Sequence, residues 1–541
     1  MLKKTFSAIL FILLIFHCSL FAQRTIQYSF LNANNISTVF SNTGIFNKDP
    51  RTANTPGFEW PKGSGKFAFL SSGLCLSARV NGFIRQAMAS YNGEFTSGYC
   101  IDSTPFTNSN LKIYKVSAGD NQNTNPDWAN WGLMVPFGAP YRDVNNNGIY
   151  EPAIDTPGVK NAASTIFICM TDGFSSTHTS TEGFGGGTLP LYAEIHLTAW
   201  CYSQPSYNDM QFMKYEIINK GKRAWNGTYL SFVCDPNLGY PLDDYVGCDT
   251  IRKLSFCLNG RNTDSVYGIA PPAAGIVLLK GLSNKSITPN VDLGLTSFAA
   301  YNSFNVTCET NPANPLQAYL FMKGYKNDSS AWLDATNKIG NYYVKTKYCY
   351  SGNPEYNTGW IEKKGRVENC NRDSTGIFYS FNNYGNRKFL FSSGSDDLIM
   401  NPGDTQVVYL GQLVARGTTD INSVTKLKEL SINAIELYLS GFVIGIRQIS
   451  SSVPDFYKLY QNYPNPFNPL TKIEYQIINA GFVSLIIYDV NGRKVENLVN
   501  EKQSTGIYEA TWDASNYPSG VYFYKIQAGD FSETKRMILI K

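Results

Sequence analysis

The stretch Phe482–Leu498, FVSLIIYDVNGRKVENL, decides the fold of its part of the chain. Phe482–Asp489 and Lys494–Leu498 alternate at period two, the spacing of half-buried strands. Asn491-Gly492 sits between them, and this dipeptide favours a tight hairpin turn. Working outward, Lys472–Ile477, Ile507–Trp512, Gly520–Ala528 and Ser532–Leu539 repeat the pattern. Upstream lies Tyr463-Pro464-Asn465-Pro466-Phe467-Asn468-Pro469, where each proline fixes φ and blocks a helix. Residues 456–541 therefore read as a small antiparallel β-sandwich of immunoglobulin type.

Five segments here occur in a familiar order: QNYPNPFNP (461–469), IYDVNG (487–492), TWDA (511–514), SGVYFY (519–524) and TKRMILIK (534–541). With these motifs the tail resembles the type A C-terminal sorting domain of the type IX secretion system. The resemblance implies inner-membrane export by a signal peptide, then outer-membrane passage guided by this tail. It implies the type IX machinery as a partner. Tail removal and anchoring to surface lipopolysaccharide are further expectations.

The N-terminus agrees. Lys3 and Lys4 precede an apolar run from Phe6 to Phe16, with small or apolar residues leading to Ala22. That is the layout of a secretory signal peptide over residues 1–22. Cys18 follows His17 and so lacks the small residue of a lipoprotein signal. Cleavage leaves 519 residues, and losing Lys3 and Lys4 lowers the net charge from +4 to +2. No later stretch is apolar enough for a membrane helix. The expected location is secreted or on the outer cell surface, via the periplasm.

Residues 23–445 read as one large β-rich region, or two fused ones, of β-sandwich or jelly-roll type. Strands are predicted at Tyr192–Cys201, Gln211–Ile218, Thr228–Val233, Leu254–Leu258, Gly275–Leu279, Asn341–Cys349, Gly376–Phe381 and Thr405–Leu413. One amphipathic helix is predicted over Asn422–Tyr438, capped by Asp420 or Asn422 and ended by Gly441. Residues 446–455 read as a linker. The fold class is all-β with this single helix. Landmarks such as Pro61–Gly65, Gly138–Pro140, Asp235–Gly239, Thr358–Trp360 and Leu413–Gly417 resemble a class of large secreted proteins that carry the same tail. That likeness implies lineage and address but no activity. The sequence has Asn237 and Asn353 where that class often has Asp.

Composition excludes one partner class. Charged residues make up 16%, and 46 Lys+Arg nearly cancel 42 Asp+Glu. Such a balance offers no footprint for nucleic acid.

Acidic loops supply the candidate ion sites. Asp143, Asn145 and Asn147 take positions 1, 3 and 5 of a calcium loop, with Gly148 at 6 and the Ile149 carbonyl at 7. Glu151 and Asp155 follow, but position 12 is Ile154, so this is no helix–loop–helix hand. The competing reading is an Asn-Gly turn held by Asx hydrogen bonds. A second metal candidate gathers Asp235, Asn237, Asp243, Asp244 and Asp249; a catalytic carboxylate pair is its rival.

Only His178 and His196 remain in the mature chain, so a three-His zinc site is impossible, and no H-E-x-x-H or G-x-S-x-G occurs. His196 is expected to face solvent or fill a polar sheet position. Ten cysteines outside the signal permit disulfides, with Cys75–Cys100 and Cys349–Cys370 the expected pairs. Cys169, Cys201 and Cys234 read as buried thiols. Trp60, Trp128, Trp131, Trp332 and Trp360 lie in or beside polar loops, as sugar platforms or as core plugs. Together these features predict a calcium-stabilised surface protein with a structural, adhesive or glycan-binding role; the alternative is a secreted hydrolase of glycans or peptides.

Overall fold

A computed structural model describes residues 24–541, apart from 53–54, 181, 285–289, 302–305, 443–445, 451–453 and 515–516. The signal segment and part of the expected linker lie outside the described residues.

The large region is built on two sheets. The first runs Tyr28–Leu31, Ser37–Ser41, Ile45–Phe46, Phe67–Val80, Trp225–Pro236, Lys388–Gly394, Ser297–Tyr301. The second runs Tyr114–Ser117, Ser164–Thr171, Ala193–Cys201, Met210–Asn219, Thr405–Ala415, Ala273–Lys280, Leu254–Asn259, Asp244–Asp249. Apolar residues from both sheets, among them Leu76, Phe232, Ile195 and Leu410, form one buried core. Tyr215 and Phe232 meet across it with ring centroids 5.4 Å apart.

The helix spans Asp420–Leu439, and its cap is Thr419, whose hydroxyl accepts from Asn422 N. That corrects the expected Asp420 or Asn422, which fall inside the first turn. Gly441 follows the helix at φ 71°. Val424, Leu427, Ala434 and Leu437 pack on Trp200, Phe212 and Leu413 of the second sheet. This explains why Ala193–Cys201 is buried at every position: the alternate face that reads as outward, Glu194-His196-Thr198-Trp200, is covered. The helix shields Trp200, while a cluster around Trp131 and Phe167 shields the other end.

The C-terminal unit has two four-stranded sheets. One orders Ile446–Ser450, Gly506–Asp513, Leu470–Ile477, Lys458–Leu459; the other orders Lys494–Gln503, Gly481–Tyr488, Gly520–Ala528, Phe531–Leu539. Ile473, Tyr475, Leu485, Ile487, Trp512 and Tyr524 form its core. Period-two burial runs along Leu470–Ile477 as the sequence predicts. Gly492 turns the hairpin at φ 73°, with Asp489 Oδ1 accepting from Asn491 and Arg493 N. The stretch read as linker contributes Ile446–Ser450, which pairs with Gly506–Asp513.

The expected disulfide pairs are corrected. Cys308 bonds to Cys370, with Cα atoms 5.6 Å apart. Cys75, Cys100 and Cys349 are buried free thiols, as are Cys169, Cys201 and Cys234. Cys75 packs in the main core, whereas Cys100 sits against Thr171 of the second sheet. Closeness in sequence misleads here because the strands carry these thiols to different layers.

Candidate functional site: a cleft at the edge of the second sheet

Strand Asp244–Asp249 ends the second sheet, so one side of it lacks a strand partner. Such an edge invites unwanted pairing unless something covers it. The cover is the long excursion between strands Ser297–Tyr301 and Lys388–Gly394, which are neighbours in the first sheet. The excursion carries helix Pro315–Met322, two hairpins and the Cys308–Cys370 bridge. Its Glu362 accepts from Val246 N at 2.8 Å, its Tyr350 carbonyl from Cys248 N at 3.3 Å.

Between edge and excursion lies a cleft of about 440 Å³. Tyr245, Phe256, Tyr350 and the half-exposed Phe381 give it aromatic surface; Asn259, Lys363, Lys364 and Asp420 add polar groups. Tyr245 donates its hydroxyl to Asn382 O (2.7 Å), and the Asn382 amide donates to the Tyr350 hydroxyl (3.2 Å). Lys364 Nζ donates to the carbonyls of Asn357 (2.6 Å) and Gly359 (3.2 Å). Arg387 Nε donates to Glu362 at 2.5 Å, and both side chains are buried. Burial pushes the Glu362 carboxyl up, opposed by the Arg387 charge. Sequence reading missed this cleft because its walls come from residues 245–260, 350–381 and 420–421.

The predicted ion ligands are placed as follows. In the 143–155 loop, Asp143 accepts from Asn147 N (3.2 Å) and Gly148 N (2.7 Å). The amides of Asn145 and Asn147 both donate to Glu151 Oε2 at 2.6 Å. Asp155 is buried and turned inward, accepting from Val144 N (2.9 Å) and Glu151 N (2.7 Å). Ile149 is exposed, and its amide donates to Asn147 Oδ1 at 2.8 Å. Asn145, Asn147 and Glu151 thus face one another, and the donor set is all oxygen once the two amides turn, which fits a hard cation.

The second acidic group is divided among three neighbourhoods. Asp235 accepts from the Tyr91 hydroxyl and lies 3.8 Å from Lys388. Asp249 caps its own turn, bonding Ile251 N, Arg252 N and the Arg252 guanidinium. Asp243 and Asp244 stay together, Asp244 accepting from Leu238 N at 3.3 Å, and are joined by Asp264, which the sequence reading did not single out. Asp264 holds Tyr240 N (2.9 Å) and Val266 N (2.8 Å). Burial, with the Asp264 charge, pushes Asp243 up to about 6.

Neither histidine faces solvent. His196 is buried, with Nε2 2.9 Å from Glu194. His178 Nε2 sits 2.7 Å from the Asp172 carbonyl, and Nδ1 lies 3.4 Å from Glu94. Burial disfavours its charged form, but Asp172 and Glu94 outweigh that and raise it to about 9. Trp60, Trp131, Trp332 and Trp360 are core plugs, and Trp128 is half-buried with its indole donating to Pro152 O. Aromatic surface at the cleft comes from Tyr and Phe instead.

At the C-terminal unit, the proline-rich segment seals one end of the sandwich. Tyr463 is exposed and bridges Lys472 through backbone bonds. Phe467 is buried, its backbone bonded to Ile538 O and Ile540 N, its ring 5.4 Å from Trp512. Asn465 Oδ1 accepts from Ile538 N (3.0 Å), and Pro469 O accepts from Ala514 N. Tyr463-Pro464 and Asn465-Pro466 are cis. Residues 461–541 match the family model described as a secretion system C-terminal sorting domain. That sorting domain marks the protein as type IX cargo, exported to the cell surface or released. No curated protein matches the sequence. The solved structure of PorZ, an essential bacterial surface component of the type-IX secretion system of Porphyromonas gingivalis, is 11% identical. Its alignment covers 95% of this chain and 58% of PorZ at a TM-score of 0.13, too loose to inform the fold. Among the described residues, no helix is long and apolar enough to cross a membrane.

Proposed function

We propose that this exported protein binds saccharides at the cell surface, in the cleft between the sheet edge and the excursion. The carrying observation is the pairing of aromatic faces, Tyr245, Tyr350 and Phe381, with the polar Asn259, Lys364 and Asp420 in one concavity. Sugar rings present apolar C–H faces and a rim of hydroxyls, which that mixture complements. Binding is favoured over hydrolysis because the buried carboxylate of the cleft, Glu362, is already engaged by Arg387 and Val246 N. A hydrolase needs an acid and a base free to meet the substrate.

The test is calorimetric titration of the full chain with an oligosaccharide panel. At least one should bind without releasing reducing ends. Phe381→Ala should weaken it by roughly 3–10-fold, the worth of one aromatic contact. Unaltered affinity in that variant, or no binding across the panel, overturns the proposal; release of reducing ends replaces it with hydrolysis.

The same reading includes calcium in the 143–155 loop. The ligands are Asp143, Asn145, Asn147 and Glu151 with the Ile149 carbonyl, and Asp155 positions the loop from behind. Two neutral Asn ligands suit affinity of about 0.1–1 mM. Calcium at tenfold excess over Kd then stabilises the fold by about 1.4 kcal/mol. Differential scanning should show a midpoint a few degrees higher in calcium than in chelator, and Glu151→Gln should abolish that difference. Identical midpoints for the wild-type chain leave the loop a turn held by hydrogen bonds.

A further inference from the structure

Glu309 and Asn369 are the chain neighbours of Cys308 and Cys370. The disulfide that closes the excursion therefore sets these two side chains side by side. Lys326, from the turn after helix Pro315–Met322, reaches both. Its Nζ lies 2.5 Å from Glu309 Oε1 and 2.5 Å from Asn369 Oδ1. Lys326, Glu309 and Asn369 are 1%, 6% and 0% exposed. The face of Trp332 lies 4.8 Å from Nζ and walls off the group. The Asn369 amide nitrogen donates to Ala331 O at 3.0 Å, so the carboxamide is held with its carbonyl toward the lysine. Arg366 Nη1 stands 3.9 Å from the other oxygen of Glu309 and holds that carboxylate in place.

We propose that Lys326 and Asn369 become joined by an isopeptide bond, formed by the folded chain on itself with Glu309 carrying the proton. The reaction starts with one proton passing from the lysine ammonium to the Glu309 oxygen it already contacts, which leaves a neutral amine beside a neutral acid. That amine is a nucleophile, already placed against the carbonyl it attacks. Its lone pair forms the Nζ–Cγ bond, while the Glu309 proton supports the developing charge on Oδ1. Collapse breaks the Cγ–Nδ2 bond. Nζ keeps one hydrogen in the new amide, and Nδ2 leaves as ammonia. The remaining proton stays on Glu309 or departs as ammonium. Nothing is oxidised or reduced, and no co-reactant is required. The link would tie the Lys326 turn to the segment after strand Arg366–Glu368, beside the disulfide but indifferent to reductants.

Mass spectrometry of the purified full chain decides the matter. The expected result is an intact mass about 17 Da below that of the disulfide-bonded sequence, the loss of one ammonia. Ammonia loss alone also accompanies cyclisation of an N-terminal Gln or succinimide formation at Asn491-Gly492. The required signature is therefore a branched proteolytic peptide joining Lys326 to Asn369 after reduction of the disulfide. Glu309→Gln should return separate, unmodified peptides. Wild-type protein that is folded by circular dichroism yet yields Lys326 and Asn369 on separate peptides overturns the proposal. That arm needs no variant to fold. A branched peptide that persists unchanged in Glu309→Gln overturns the role given to Glu309.

Discussion

A Trp512→Ala chain is expected to be synthesised but to fail to reach the cell surface. Trp512 is fully buried in the sorting domain, its ring 5.1 Å from Tyr522, 5.4 Å from Phe467 and 5.7 Å from Tyr517. Its indole N–H donates to Glu496 at 2.9 Å. Truncating a buried Trp to Ala costs about 3–5 kcal/mol through lost transfer energy and the cavity left behind. Domains this small are stable by about 5–15 kcal/mol, so the loss removes a large share. It also removes the seat of Phe467, which anchors the Tyr463–Pro469 segment across the end of the sandwich. Cell fractionation should find the variant held back in the periplasm, and limited proteolysis should clip its tail first. Normal surface display would separate export from the folded state of the sorting domain.

Arg387→Met should destabilise the large region by about 3–5 kcal/mol, because it leaves the Glu362 charge buried without its partner. Both side chains are 2% exposed. Arg387 also donates to the carbonyls of Asn383 and Asn386, and Glu362 also accepts from Val246 N. The effect extends beyond charge: Glu362 fastens the excursion to the sheet edge and so shapes one wall of the cleft. The double variant Glu362→Gln, Arg387→Met should recover most of the lost stability, since two neutral groups no longer demand solvation. Thermal midpoints of the two singles and the double measure this coupling directly. Additive losses would show that the pair acts independently and that packing alone sets the cost.

Some of this was legible in the sequence for clear reasons. Period-two patterns located the strands of the tail, where one face of each is apolar. The longest strand, Phe67–Val80, and also Ser164–Thr171 and Lys388–Gly394 were not predicted, because burial on both faces leaves no alternation to read. The helix face of Val424, Leu427, Ala434 and Leu437 needed only its own spacing. The tail was most legible, since its strands follow in order around tight turns such as Asn491-Gly492. What stayed hidden depends on layers. Of the two readings of His196, facing solvent or filling a polar sheet position, the second holds: it sits between Glu194 and Glu216 under Phe137 and Phe167. Cys308 and Cys370 stand 62 residues apart, and only the folding back of the excursion joins them. The cleft and the Lys326 cluster share this origin: each gathers residues whose neighbourhood is set by topology and by no local pattern.

The pairing of Met210 with Leu413 at the centre of the second sheet has a kinetic side. Closing so long a loop must precede the contacts that reward it, and non-local topology of this kind slows folding by orders of magnitude. In the tail, by contrast, Leu470 pairs with Asp513 and Gly520 with Leu539. The tail is thus expected to finish folding before the large region. An export label would then be legible to its receptor while its cargo was still settling, a sequence of events set by contact order.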